Sequence, residues 1–195
     1  MMSTSEISPL VIADVLAWRA WLDANESTSD GVWLTLAKKG TTTPTSLSYA
    51  QALDEALCSG WIDGQIKSID ESIFMRRFTP RRKYSLWSTR NIEHIERLSQ
   101  AGRIRPSGIA EIERAKEDGR WDAAYAGSAS MEVPEDLTRA LAQDAVARRT
   151  FESLNAQNRY SILHRVTTAR TPETRANRLA RAMEQLALGE TPYPQ

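Results

Sequence analysis

The sequence predicts an α+β fold: a small antiparallel sheet with packed helices, followed by an all-helical C-terminal segment. Three observations lead there. The first 80 residues hold three short stretches rich in β-branched and aromatic residues, and two of them are separated only by the bend "IDES". From Ser85 onward the apolar residues recur at helical spacing. The 195 residues contain no internal repeat, and that length suits one domain or one core with an appended helical segment. The boundaries read from the sequence are an α+β domain with trailing helices over 1–126 and a helical region over 127–195, able to pack with the first as one unit. "YAGSASMEVPED", with its small residues and proline, is the linker between them.

Along the chain, Val11, Val15, Trp18 and Leu22 predict an opening helix, with Trp21 widening its apolar stripe. "GVWLTLAKK" carries apolar residues on both alternating faces, as in a strand covered on both sides. "LSYAQALDEALCSG" predicts a capped helix. Ser48 and Gln51 form a capping box, and Gly60 can take the left-handed conformation that closes the helix. Two strands follow, Ile62–Ser68 and Ile73–Thr79, and Pro80 ends the second because it lacks a ladder donor. "YSLWSTRN" opens the first C-terminal helix, with Ile92, Ile95 and Leu98 as its stripe. Ile109 and Ile112 mark the next helix. Pro134 opens a third, and Asp144 caps a fourth. The last begins at Thr171 and Pro172 and faces Leu179, Met183 and Leu186 inward, with Arg175, Arg178 and Arg181 lying together beside them.

Composition excludes several function classes. Lysine plus arginine equals aspartate plus glutamate at 25 each, so bulk charge drives the chain to neither nucleic acid nor membrane. The single cysteine, Cys58, excludes an internal disulfide framework and fits a reducing compartment. "MMSTSEISPLVIADVLAW" lacks the basic and apolar regions of an export signal, and no apolar run approaches a membrane span, so the expected location is the cytoplasm. The two histidines, His94 and His164, lack metal-ligand spacing, and no metal or cofactor is assigned. No P-loop, Rossmann or serine-hydrolase motif occurs. Cys58 sits at the C-terminal end of its helix, where the dipole opposes a thiolate and packing is the simpler role. Asp63 and Asp70 could divide acid and base roles across the hairpin. Turn formation or pairing with Lys67 or an arginine is the simpler reading. No catalytic residue is assigned.

The remaining feature is a basic run. Arg76, Arg77, Arg81, Arg82, Lys83 and Arg90 lie between Glu71 and Glu93 with no acid among them. Arginine offers a planar fork to phosphate or carboxylate, and indoles offer flat walls. The candidate ligand-binding residues are therefore Arg77, Arg81, Trp87, Trp61 and Asp63. A solvated or internally paired basic face is the plainer alternative.

Taken together, "WRAWLDAN", "GVWLTLAKKG", "LSYAQALDEALCSGWIDGQIKSID", "RRFTPRRKYSLWSTRN", "ERLSQAGRIRPSGIAEIERAKEDGRWDAAY" and "ARTPETRANRLARA" resemble the YdeI/OmpD-associated family of bacteriocin-protection proteins, from Ala13 to Tyr193. Ser59 stands where the family carries a larger residue, and "ARTPETR" where "AKRPETR" is commoner. The resemblance implies a bacterial protein linked to tolerance of bacteriocins or cationic antimicrobial peptides. It implies no catalytic site and no cofactor. Its name implies association with an outer-membrane porin, which conflicts with a chain lacking an export signal. A cationic peptide would also be repelled by the basic run.

The expected function is a non-enzymatic cytoplasmic binding protein for a small anionic metabolite, with a protein partner as a further expectation. One alternative is an enzyme using Asp63 with Cys58 or Asp70. A less favoured one is a nucleic-acid-associated regulator using the 76–90 run.

Overall fold

In the computed structural model, residues 8–194 are described; the first seven residues of the stretch read for an export signal lie outside them. The chain is an α+β protein of eight helices and one three-stranded antiparallel sheet among the described residues. It divides into two compact units. One runs to Ser85 and resumes over Asn91–Asp122; the other comprises Leu86–Arg90 and the chain from Ala123 onward.

In the first unit the sheet order is β1 (Val32–Ala37), β3 (Ile73–Pro80), β2 (Trp61–Ser68), with β3 central. The tight β2–β3 bend is held by Asp70, whose Oδ1 accepts from the amides of Ser72 and Ile73 at 2.7 and 2.9 Å. Pro80 is the last residue of β3 at its pairing with Trp61, where a missing donor costs least. The outer edge of β1 is covered by the chain at Leu10, which donates to Trp33 O and accepts from Thr35 N. That pairing holds residues 10–12 out of the helix predicted for them. Helix α1 spans Val15–Asn25 with Asp14 as its N-cap, and Val11 is exposed.

The register places Val32, Leu34, Leu36, Phe74, Arg76 and Phe78 on one face of the sheet, with Trp61 and Asp63 of β2. Against that face pack α1 and α2 (Tyr49–Cys58), closing a core of Ile12, Trp18, Leu22, Leu34, Leu36, Leu47, Ala52, Ala56, Trp61 and Phe78. Trp18 stacks on Trp21 at 5.2 Å, and Trp21 meets the ring of Trp61 edge-on at 5.8 Å. The Ser48–Gln51 capping box opens α2, and Gly60, at φ 72°, closes it.

Helices α3 (Thr89–Gln100) and α4 (Pro106–Glu117) follow. The apolar stripe predicted for α4 is not its buried face. Ile109 is exposed, and Gly108, Glu111 and Ala115 are buried instead. The reason is a close crossing: a Cβ at Gly108 would lie 2.2 Å from the carbonyl oxygen of Cys58. α4 approaches α2 on its glycine face, leaving no room for isoleucine there.

The second unit is built from α5 (Glu135–Gln143), α6 (Ala145–Ser153), α7 (Ala156–Thr167) and α8 (Pro172–Ala187). Asp144, Asn155 and Thr171 cap the last three with their side chains. Leu137, Leu141, Ala147, Phe151, Leu154, Ile162, Leu163, Ala182 and Leu186 form its core. Arg175 clamps the unit: it grips both oxygens of Asp136 at 2.7 and 2.9 Å and donates to Val166 O at 3.2 Å.

Candidate functional site

The residues expected to grip an anion do not form one site in the first unit. Trp61 is 1% exposed and packs the sheet core. Asp63 is already engaged. Arg76 pairs with its Oδ2 at 2.5 Å, Tyr49 donates to the same oxygen at 2.9 Å, and the Arg76 guanidinium lies 4.3 Å from the Tyr49 ring centre. Asp63 therefore serves the strand pair, not a ligand. Arg81 is 5% exposed, and its amide donates to Gly60 O. Arg77 lies across from Trp33 on the opposite face to Arg76, and its guanidinium contacts no acid among the described residues. Arg82 and Lys83 are exposed. Trp87 belongs to the second unit and is 2% exposed. The enzyme alternative loses its thiol: Cys58 is buried, and burial, with the charge of Glu55, pushes its pKa up. Asp70 is spent on the bend.

The polar centre of the first unit is an ion-pair network that links α2 to the α3–α4 connection. Glu55 is 4% exposed and takes Arg103 on one oxygen at 2.6 Å and Arg105 on the other at 2.7 Å. Arg105 also bonds Ser59 and reaches Asp23, and its amide donates to Cys58 O. Asp54 collects Arg97 at 2.6 Å and His94 at 3.3 Å. Carboxylates and guanidiniums answer each other here, so the network holds elements together and leaves no charge for a guest. Ser59, where a larger residue was expected, is the size that lets Arg105 enter.

The second unit contains a different arrangement. Between α7 and α8 lies a cavity of about 680 Å³, lined by Ile162, His164, Arg165, Val166 and Thr168 from α7 and its end, by Arg178, Arg181, Ala182 and Gln185 from α8, and by Leu86. Helical spacing explains the lining. Arg178, Arg181, Ala182 and Gln185 stand three, four and seven residues apart and share one face of α8. Three arginines and a histidine line this space, with no carboxylate among the described lining residues. Arg178 donates from Nη1 to Arg165 O at 2.7 Å. That carbonyl belongs to the last turn of α7, where helix geometry leaves oxygens unsatisfied. The guanidiniums of Arg165 and Arg181 make no ion pair or hydrogen bond with any other described residue. The ring of His164 stands edge-on to Tyr125 at 4.6 Å and near Tyr160 at 5.5 Å. Burial, with the Arg178 charge, holds its pKa below the ordinary histidine value and so favours the neutral imidazole.

Chemically, this is a concave surface with positive charge uncompensated from within and an apolar floor. Arg178 and Arg181, three residues apart, repel mildly until something negative lies between them. No metal-ligand cluster occurs among the described residues, and no described helix is long and apolar enough to cross a membrane. Reading the sequence missed this cavity. Its trace was present: six arginines, Arg159, Arg165, Arg170, Arg175, Arg178 and Arg181, lie between Glu152 and Glu184 with Glu173 the one acid among them.

Comparison with known proteins separates the two parts of the chain. A domain of unknown function, DUF8412, matches residues 10–111. A second family, described as bacteriocin-protection, YdeI or OmpD-associated, matches residues 130–189. The likeness read from the sequence over Ala13–Tyr193 is thus narrower for the bacteriocin-protection family, and "ALCSGWIDG" and "FTPRRKYSLWS" fall in the other match. No curated protein matches the chain. No solved structure matches it either. Residues 130–189 match the family described as bacteriocin-protection, YdeI or OmpD-associated, and through residues 10–111 the chain belongs to the DUF8412 family.

Proposed function

We propose that this protein is a non-enzymatic binding protein for a small anion, and that its bacteriocin-protection domain holds the ligand in the α7–α8 cavity. The observation that carries the reading is the lining itself: Arg165, Arg178 and Arg181 around about 680 Å³, with no carboxylate among the described lining residues to neutralise them. Arginine forks favour planar oxyanions and bind them by charge-assisted hydrogen bonds. All lining residues except Leu86 fall within the matched 130–189 segment. A cationic peptide is repelled by the same charges, so protection against such peptides runs through the bound anion or a protein partner, not through capture of the peptide here. A cytoplasmic location belongs to this reading and is supported by Cys58, a single buried free thiol.

The test is thermal unfolding in rising inorganic phosphate at constant ionic strength, for wild type and Arg181→Ala. The wild type gains melting temperature with phosphate, and the variant gains less at every concentration. Equal gains in both proteins, or none in either, overturn the reading.

A further inference from the structure

The cavity is not lined as a site for a bare inorganic ion would be. Besides three arginines, the lining includes Ile162 and Val166 of α7, Ala182 of α8, and Leu86, an apolar side chain that is 39% exposed. Ile162, Val166 and Ala182 are buried residues that stand in the lining. Burial, with the Arg178 charge, lowers the His164 pKa and favours the uncharged ring in this lining. A phosphate ion needs donors around its whole circumference, and a floor of carbon wastes half of its hydration. The volume lies in the range of about 300–1,000 Å³ usual for organic ligands.

Resting on the anion-binding reading above, we infer that the ligand is an amphipathic organic anion: a single carboxylate or phosphate held by Arg178 and Arg181, with an aliphatic body laid over Ile162, Val166 and Ala182 and covered by Leu86. The chemistry of each half has its own side chains. Arg181 makes no ion pair among the described residues and offers its whole fork. Arg178 has one nitrogen fixed on Arg165 O, which aims the rest of its guanidinium. Leu86 is the one lining residue from outside the α7–α8 stretch of chain, and an apolar group there is explained by a ligand that needs a lid of carbon.

Isothermal titration of the full chain with acetate, butyrate, hexanoate and octanoate, and separately with inorganic phosphate, tests this at constant ionic strength. Affinity is expected to rise about threefold for each added methylene until the floor is covered. Leu86→Ala is expected to weaken octanoate about tenfold and phosphate less than twofold. Because Leu86 is well exposed, the variant retains the fold. Arg181→Ala is expected to weaken every anion in the series. Equal affinity for acetate and octanoate, with both lost in Arg181→Ala, overturns the amphipathic ligand and leaves the anion site standing. No binding of any member, phosphate included, overturns both. Octanoate binding that is unaffected by either substitution overturns the placement of the ligand in this cavity. A parallel arm with neutral and anionic phospholipid vesicles separates a free ligand from a lipid surface. The inference requires octanoate to bind without vesicles, and sedimentation with vesicles in place of that binding contradicts it.

Discussion

Arg178 of α8 donates to the main-chain oxygen of Arg165 in the last turn of α7, at 2.7 Å. One side chain thereby ties two helices at their shared cavity and satisfies a helix-end carbonyl. Arg181, one turn further along α8, lines the same cavity and ties nothing among the described residues. The two arginines should separate stability from binding. Arg178→Ala is expected to cost about 1 kcal/mol in urea unfolding, the worth of one hydrogen bond from a charged donor near the surface. Arg181→Ala is expected to leave stability within about 0.5 kcal/mol of wild type, or to raise it slightly by removing a like-charge neighbour.

Asp63 is predicted to matter for folding and not for a ligand. It is the shared acceptor of Arg76 and Tyr49 on the core side of the sheet. Asp63→Asn is expected to destabilise the protein by about 2 kcal/mol, since Arg76 keeps a charge with no acid opposite it. Tyr49→Phe removes one hydrogen bond and should cost about 1 kcal/mol. Anion affinity of Asp63→Asn, measured well below its unfolding transition, should match wild type.

Glu55 is the most consequential acid in the first unit, because two guanidiniums converge on it under cover. Removing the shared partner leaves the largely buried Arg105 with Asp23 as its remaining acid, while Arg103 is partly open to solvent. Glu55→Gln is expected to cost about 3–5 kcal/mol, read as a lower urea midpoint with an unchanged denaturant slope. A loss below about 1 kcal/mol would mean that Arg103 and Arg105 turn to solvent without penalty.

Stability at acid pH should report on Asp136. The hydrogen bonds from Arg175 hold its pKa below the usual carboxylate range. A carboxyl with a lowered folded pKa binds its proton more readily when unfolded. Its contribution is therefore complete above the unfolded value of about 3.9 and is lost as pH falls from there toward the folded value. Asp136→Asn should be less stable than wild type at pH 7, and the gap should narrow below about pH 4. A gap that stays constant from pH 7 to pH 3 would contradict the pairing.

Much of the fold was legible in local chemistry. The Ser48–Gln51 box, the Asp144 and Thr171 caps, and the hairpin around Asp70 each depend on residues a few positions apart, and each appears as expected. What depended on distant contacts was less legible. Ile109 looked like core by spacing, but the buried face of α4 is set by how close Gly108 comes to Cys58, a contact between residues 50 positions apart. The basic run from Arg76 to Arg90 looked like one surface because its charges are adjacent in sequence. Strand alternation sends Arg76 to Asp63 and Arg77 to the other face, and burial takes Arg81. The cavity arginines are spread over the sequence from 165 to 181, and only the pairing of α7 with α8 brings them together. Charge density singled out the first surplus of arginine, while the second, diluted over more than twenty residues, did not stand out. Which surplus was neutralised by the protein's own acids was a tertiary fact.

The α7–α8 cavity gathers Arg165, Arg178 and Arg181 with no ion pair to a described acid, and that is where an anion is expected to bind. The most direct measurement is a ¹H–¹⁵N correlation spectrum of the labelled protein titrated with octanoate. The account predicts saturable shifts concentrated at the amides of His164, Arg165, Thr168, Arg178, Arg181 and Gln185, with Asp63, Arg76 and Arg77 unmoved. Shifts centred on the β2–β3 hairpin, with the α7 and α8 amides unmoved, would contradict it.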